Sequence, residues 1–441
     1  MKIKNHPLIW GGAVIVLAYV VSRAMVVSWP NDFWAWRKEV VLLSGVIMLA
    51  AMATAGVLAL RTPWLEQQLG GLDRTYRLHK YLGITAGVML AVHWLTELSP
   101  GTLIDWGWLA PRVKGPKGPQ ATDLLSTLKG PAKDFGEWAA WAMLALVPLA
   151  LWKAPYKPWR LVHKAMAVIL AMGVFHGLVL LPRNHWLTPV GGLMLVIVVA
   201  GAVAAVWSLT GRIGRQRQSA GVISAIDRPA PDTLQLTCRL DHDWAGHAAG
   251  QFAFLTLDAG EGAHPFTIAS ADHGDGEIRF VIKALGDYTR KLAQKVQVGQ
   301  KVRVEGPYGA FHLPEADGHR QVWVAGGVGV TPFMAWLDAL AARGEKRTDV
   351  DFCYCVPNRR DAVALDELQR NAERVGVRLH VFASKEGERL GVQHPVFSER
   401  DQVRPRVWFC GPARLGDALK TGLMQKGFTA DSFHHEAFDF R

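Results

Sequence analysis

Cysteine is nearly absent: there are four in 441 residues, Cys238, Cys353, Cys355 and Cys410, all in the second half and none in C-x-x-C spacing. They offer no disulfide framework. Cys353 and Cys355 lie two apart in an expected strand, on one face yet too far apart to bridge comfortably. The expectation is reduced thiols in a cytosolic compartment. Internal repeats and low-complexity segments are also missing. The basic start Met1-Lys2-Ile3-Lys4 leads into an apolar run with no small-residue cleavage site, which reads as an uncleaved first membrane span. Acidic residues are outnumbered, 38 Asp and Glu against 49 Lys and Arg, for a formal charge of +11. That excess does not imply a nucleic-acid partner. Arg74, Arg77, Lys80, Lys153, Lys157, Arg160, Arg212, Arg215 and Arg217 sit at the ends of apolar runs, where such charges anchor helices on the cytoplasmic side.

Apolar runs fill the first half and stop at about Gly211. Six read as membrane spans, at about residues 8 to 28, 40 to 60, 78 to 98, 137 to 152, 161 to 181 and 188 to 209, the fourth being the shortest. Basic residues in the 61 to 77 and 153 to 160 connections, and after the last run, place those segments and both termini inside. The 99 to 136 connection, with Arg112, Lys114, Lys117, Lys129 and Lys133, then faces outward. Arg23, inside the first run, either snorkels to the outer interface or partners an anionic cofactor group. After the basic linker GRIGRQRQS, alternating segments such as TLQLTCR, QFAFLTL and EIRFVIK point to an antiparallel barrel reaching about residue 315. Strands then alternate with helical patterns, as in a doubly wound parallel sheet. The expected organisation is a six-helix transmembrane bundle over 1–210, a linker over 211–219, a β-barrel over 220–315 and an α/β domain over 316–441.

Two of the apolar runs each carry a pair of histidines: RLHKYLGITAGVMLAVHWL holds His79 and His93, and WRLVHKAMAVILAMGVFHGLVLL holds His163 and His176. One histidine in an apolar helix is more often packed than ligating; two widely spaced pairs at nearly matched intervals are not what packing alone anticipates. At about 1.5 Å rise per residue the imidazoles of a pair stand roughly 20 Å apart, two levels inside a hydrocarbon core of about 30 Å. The third and fifth spans run in the same direction, so His79 faces His163 at the inner level and His93 faces His176 at the outer one. Imidazole is a common axial ligand of haem iron and helix bundles build such sites in their cores, so two b-type haems are expected. One difficulty is geometric. At about 100° per residue, an interval of 14 nearly returns to the same helix face, whereas 13 leaves the second histidine about 140° away. The fifth span is therefore expected to be irregular, with a π-type turn or kink near Gly173.

Together, the six spans, the histidine intervals and the soluble half behind them resemble the ferric reductase and NADPH oxidase family of transmembrane electron carriers, over nearly the whole chain. The resemblance implies haem ligation by His79, His93, His163 and His176, and assigns the soluble half as a ferredoxin reductase-like module binding FAD and NADPH or NADH. His264-Pro265-Phe266-Thr267-Ile268-Ala269-Ser270 is similar to that superfamily's flavin-binding signature, with His264 where the family often has Arg. It implies His264 toward the FAD phosphates, Phe266 against the ring system and Thr267 as a donor near the reactive edge, with Pro265 and Ser270 counted in the same cofactor-binding stretch. Lys283, Gly286 and Thr289 of KALGDYT resemble the pyrophosphate turn, and Gly306-Pro307-Tyr308-Gly309 the turn that closes the barrel. AGGVGVTP, with Gly326, Gly327, Gly329, Thr331 and Pro332, follows a strand and opens a helix, the setting in which backbone amides seat a dinucleotide pyrophosphate. Arg359 and Arg360 stand where a 2′-phosphate would lie, favouring NADPH. Cys410-Gly411-Pro412 resembles the element that lines the nicotinamide site, and Phe438 or Phe440 would stack on the flavin.

The expected function is electron transfer from cytosolic NADPH, through FAD and two haems, to an acceptor outside a bacterial-type plasma membrane. Oxygen, giving superoxide, stands first, and a ferric chelate second. Glu97, where oxidase relatives commonly carry a further histidine, speaks for the second. A transporter with a regulatory nucleotide-binding domain is the remote alternative.

Overall fold

The computed structural model describes residues 6–26, 29–112, 123–151, 163–258, 260–399 and 403–436. The chain divides into two compact units, Met1–Glu66 with Arg74–Ile213, and Gln67–Asp73 with Gly214–Arg441.

The first unit is helical: α1 (His6–Val26), α2 (Phe33–Ala59), α3 (Pro63–Leu69), α4 (Leu72–Asp105), α5 (Leu124–Leu151), α6 (Met166–Leu180) and α7 (Pro189–Leu209). Asp32 starts α2 by accepting the Ala35 amide at 2.7 Å, a standard N-cap. Among the described residues four helices are long and apolar enough to cross a membrane, those at Leu8–Val26, Phe33–Ala59, Leu72–Asp105 and Pro189–Leu209, and Met166–Leu180 is a shorter apolar one. The fourth expected span, 137 to 152, is part of the longer α5. Large apolar side chains point outward, among them Trp10, Leu17, Val88, Leu95, Trp138 and Val196, while Ala50, Ala53, Ala204 and Ala205 are buried. This inversion of the soluble pattern is what lipid as solvent selects, with small residues letting helices approach closely. At Gly56 an added Cβ would lie 2.9 Å from Leu170 and 3.1 Å from Ala204.

The expected kink near Gly173 is not there. Helix α6 runs uninterrupted through Gly173, and the irregularity falls at Ala165, a turn residue between His163–Lys164 and Met166. The amides of Val168 and Ile169 both donate to the Ala165 carbonyl, at 3.0 and 3.1 Å, so the helix restarts there. A break beside the first histidine re-phases it as well as one in mid-span, without opening backbone groups deep in an apolar environment. Arg23 does not snorkel: its guanidinium is buried, with Nε 3.0 Å from Glu39.

The second unit holds two sheets. Strands β1 (Gln218–Ala230), β2 (Thr233–Leu240), β3 (Phe252–Thr256), β4 (His264–Thr267), β5 (Glu277–Lys283) and β6 (Lys301–Tyr308) form an antiparallel sheet in the order β4-β3-β6-β1-β2-β5. Its two edges come together at one antiparallel bridge, Ile268 to Phe280. Leu236, Cys238, Leu255, Ile268, Phe280 and Val304 fill the interior from alternating positions. Helix α8 (Asp287–Lys295) follows β5.

The other sheet is parallel, order β11-β10-β7-β8-β9, built from β7 (Gln321–Gly326), β8 (Val350–Val356), β9 (Arg378–Ala383), β10 (Arg406–Cys410) and β11 (Phe433–Glu436). Helices α9 (Thr331–Arg343), α10 (Leu365–Val375) and α11 (Ala413–Gln425) connect them. Every residue of β7 is buried, as expected of a strand covered on both faces. Trp323, Phe333, Trp336 and Phe352 form the aromatic centre of the core, each fully buried. Truncating one of them to Ala costs about 3–5 kcal/mol. Strand β7 lies between β8 and β10, so the winding reverses there, and the crevice at the carboxyl ends of β7 and β10 is where doubly wound sheets bind ligands.

Candidate functional site

Within the helical unit the four histidines meet in two pairs. The His79 and His163 ring centres are 5.8 Å apart, with planes at 69°; those of His93 and His176 are 6.4 Å apart, at 72°. His79 donates through Nδ1 to the Ala55 carbonyl at 2.9 Å, His93 to Val41 at 2.9 Å, and His176 to Ala132 at 2.8 Å. A proton held at Nδ1 leaves Nε2 as the basic nitrogen and fixes the ring, as a carbonyl behind a metal-bound histidine does. A metal ion between two imidazoles, at metal–nitrogen bonds of about 2 Å, puts ring centres about 6 Å apart, so both pairs fit one. Among the described residues no group of three or more His, Cys, Asp or Glu could hold a metal.

Glycine makes room for the His93 and His176 pair. A Cβ at Gly136 would stand 2.0 Å from His176 Nδ1, and one at Gly45 3.2 Å from His93 Cε1. Neither glycine announces this in the sequence: Gly45 is one small residue in an apolar run, and Gly136 sits among Lys133, Asp134 and Glu137 at the end of a connection. Beside His93, Arg37 donates to the Thr96 carbonyl at 3.2 Å and the Glu97 carbonyl at 2.9 Å, and pairs with the Glu97 carboxylate.

In the second unit, His264, Pro265, Phe266 and Thr267 make up β4. The His264 ring stacks on Tyr288, 4.1 Å between centres and 11° between planes, joining β4 to the first turn of α8. Burial pushes the Tyr288 phenol up to about 12, so it stays neutral. Ser270 is buried, its hydroxyl accepting the Arg279 amide at 3.1 Å. Past Lys283, the half-buried end of β5, Thr289 accepts the amides of Leu285 and Gly286 at 3.0 Å each. Its hydroxyl is thus committed to capping its own helix. Arg217 lies over the Tyr308 ring at 4.7 Å and donates to the Pro307 carbonyl at 2.9 Å.

The glycine turn and the cysteine turn meet at the reversal between β7 and β10. Gly326 ends β7, Gly327–Val330 form one tight turn, and Thr331 with Pro332 opens α9. A Cβ at Gly329 would lie 2.3 Å from the Cys410 carbonyl oxygen, and one at Gly326 2.5 Å from Pro412. A Cβ added at Gly411 would in turn lie 2.8 Å from the Gly326 Cα. Burial drives the Cys410 thiol well above its usual value, and the Glu436 carboxyl adds to this, so the group is a thiol and no nucleophile. Glu436 pairs in register with Cys410 across β10 and β11. Burial and the nearby Asp73 charge push this carboxyl up to about 8, so it carries a proton at neutral pH. Sequence reasoning missed Glu436, because nothing in the short polar strand Phe433-His434-His435-Glu436 marks its last residue as buried. Phe438 and Phe440 lie outside the described residues.

Arg359 and Arg360 form a turn after β8. The Arg359 guanidinium donates to Glu388 at 2.8 Å and its amide to Glu386 at 2.7 Å. Arg360 is exposed, with Nε 4.0 Å from Asp361.

Three family models match the chain: a ferric reductase like transmembrane component over residues 44–174, an FAD-binding domain over 223–312 and an oxidoreductase NAD-binding domain over 323–420. Among curated proteins, the anthranilate 1,2-dioxygenase electron transfer component of Acinetobacter baylyi is 26% identical over 198 residues, 43% of this chain and 57% of that protein. The carnitine monooxygenase reductase subunit of Escherichia coli is 31% identical over 155 residues, 34% of this chain and 44% of that one. The chain thus spans about half the length of the curated relatives it matches. Among solved structures, the ferredoxin reductase in carbazole 1,9a-dioxygenase aligns with a TM-score of 0.43 at 23% identity, over 50% of this chain and 69% of that one.

Proposed function

We propose that this chain, which has the ferric reductase and NADPH oxidase-like architecture with a ferredoxin reductase-like module, carries electrons from a cytosolic nicotinamide dinucleotide across the membrane to oxygen. It is an NAD(P)H oxidoreductase by its FAD-binding and NAD-binding domains. For each hydride donated, two molecules of O2 become two of superoxide, and one proton is released. The single observation behind the transmembrane half of this reading is the pair of histidine pairs at two levels of one helical unit, each with ring centres about one metal ion apart.

The residues divide the work as follows. His79 and His163 would hold one b-type haem and His93 and His176 the other, with the Ala55, Val41 and Ala132 carbonyls keeping three of the rings in the ligating tautomer. Flavin and haem, when bound, supply the conversion of a hydride into single electrons and their one-electron carriage. His264, Phe266, Thr267, Lys283 and Gly286 line the FAD site, and Gly326, Gly327, Gly329 and the start of α9 seat the dinucleotide. Cys410, Gly411 and Pro412 wall the nicotinamide end, where the neutral thiol excludes water without competing for hydride. Glu436 holds a proton beside it.

The finer architecture belongs to the same reading: six spans over 1–210, a linker over 211–219, a flavin barrel over 220–315 with edges drawn together at Ile268 and Phe280, and a nicotinamide domain over 316–441. Basic residues after the last span put the flavin and nicotinamide domains in the cytosol of a bacterial-type cell, with membrane lipid around the helices. Reduction of a ferric chelate is the second reading, favoured by exposed Arg112, Lys129 and Lys133 on the outward side. The transporter alternative falls away, since both soluble domains match oxidoreductase models.

Purified, FAD-supplied protein given NADH or NADPH should reduce cytochrome c in air, and superoxide dismutase should abolish that reduction. Dismutase-insensitive reduction, together with fast anaerobic reduction of a ferric chelate, transfers the assignment to the second reading.

A further inference from the structure

The carboxyl ends of β7, β8 and β9 lie level: Gly326 pairs in register with Cys355, and Val356 with Ala383. A dinucleotide whose pyrophosphate sits on the glycine turn after β7 extends its adenosine ribose over the end of the neighbouring strand. That end is the turn at Asn358–Arg359, and the segment that folds against it comes from just past β9, where Lys385 donates its amide to the Pro357 carbonyl at 2.9 Å. Glu386 accepts the Arg359 amide with Oε1 at 2.7 Å, and its Oε2 stands 3.9 Å from Arg359 Nε. Glu388 accepts Arg359 with Oε2 at 2.8 Å. The same oxygen takes the Ala383 amide at 3.4 Å. Arg359 is therefore engaged by two carboxylates, its guanidinium by Glu388 and its amide by Glu386, and does not stand as the bare cation a 2′-phosphate needs. Glu388 Oε1 and Glu386 Oε2 remain as acceptors, matched to the hydroxyls of an unmodified ribose. Beside Glu388 lies an open surface depression bordered also by Phe382, Arg389 and His394, and the Phe382 and His394 rings, 5.2 Å apart, offer the surface a purine packs on.

We infer that Glu386 and Glu388 read the adenosine ribose and select NADH over NADPH, reversing the preference that Arg359 and Arg360 imply in the sequence. The inference rests on the electron-transfer reading above and names its donor. A 2′-phosphate brings a charge of about −1.5 to −2 against two carboxylates, with Arg360, Lys385 and Arg389 as partial compensation. In NADH the two carboxylates meet neutral hydroxyls instead.

The test uses the full-length, FAD-loaded protein in detergent, with isothermal titration of 5′-ADP and of 2′,5′-ADP as probes. 5′-ADP should bind about tenfold tighter or more, and kcat/KM should favour NADH by a similar factor. In the E386Q/E388Q double variant, near-isosteric and therefore compatible with the fold, 2′,5′-ADP should tighten until the ratio falls to within about threefold. Equal or tighter binding of 2′,5′-ADP by the parent protein, a ratio unmoved in the double variant, or no binding of either probe overturns the inference. Anaerobic bleaching of FAD in the same samples separates the two claims. Bleaching with the wrong selectivity sinks only the choice of donor, whereas selective binding without bleaching by either dinucleotide sinks the electron-transfer reading.

Discussion

What a single side chain can do chemically depends on which proton it holds and which group it is bonded to. Four histidines at matched intervals could be singled out as ligands, and the structure places them in two facing pairs. Cys410 stood out through its Gly-Pro neighbours, but that it stays a thiol follows from complete burial beside Glu436. Glu436 itself gives a measurable consequence. Its carboxyl is raised from 4.5 to about 8 in the folded protein, so between those values the native state holds a proton that the unfolded chain releases. Stability therefore falls as pH rises from about 4.5 to about 8, by up to about 1.4 kcal/mol for each unit of the shift. Glu436→Gln should remove that slope and leave the protein more resistant to denaturant at pH 8, with little change near pH 4.5. Urea midpoints across this range check it, and an unchanged slope in the variant would show that Glu436 is not the titrating group.

At the level of elements, hydrophobic patterning located the helices and strands, because period and length alone separate a span from a half-buried strand. It did not locate how closely α5 approaches α6. His176 lies over the Ala132 carbonyl, where Gly136 one turn on has no side chain. Any Cβ there collides with the ring at 2.0 Å. Gly136→Ala should thus expel His176 from its partner and remove about half of the b-type absorbance in a reduced-minus-oxidised spectrum, sparing the His79 and His163 level. Gly130→Ala, with nothing within 4 Å of the added Cβ, is the matched control and should retain both. Full absorbance in Gly136→Ala would sink the assignment of the outer pair. The break in the fifth span belongs to this scale as well. Its necessity was legible from a 13-residue interval, whereas its position at Ala165 was decided by the local helix start.

For the molecule as a whole, the two units differ in what surrounds them. The helical unit turns large apolar side chains outward, and the second buries them around Trp323 and Trp336. Within the second unit the antiparallel sheet is tied to helices of the parallel one through Arg279, which pairs with Asp338 at 3.2 Å and Glu367 at 2.9 Å. The Ala271 amide also donates to Asp338, at 2.9 Å. Arg279→Ala leaves two partly buried carboxylates short of a cation, at a cost of about 1–3 kcal/mol. Calorimetry should show a lowered transition for the soluble unit, with haem absorbance lost at its original temperature. A transition that does not move would mean that the two sheets are held by packing alone.

The sequence by itself determined the order of the domains, the membrane-spanning character of the first half, the four candidate ligands and the glycine turns, because each rests on local periodicity or on a short motif with its own mechanism. Tertiary structure decided what depends on groups far apart in the chain. It placed Gly136 under His176, locked the Cys410 turn onto Gly329, protonated Glu436 by burying it, and engaged Arg359 with Glu386 and Glu388 from beyond the next strand. No local pattern reports a neighbour 27 or 44 residues away, and charge state and ligand preference are properties of such neighbours.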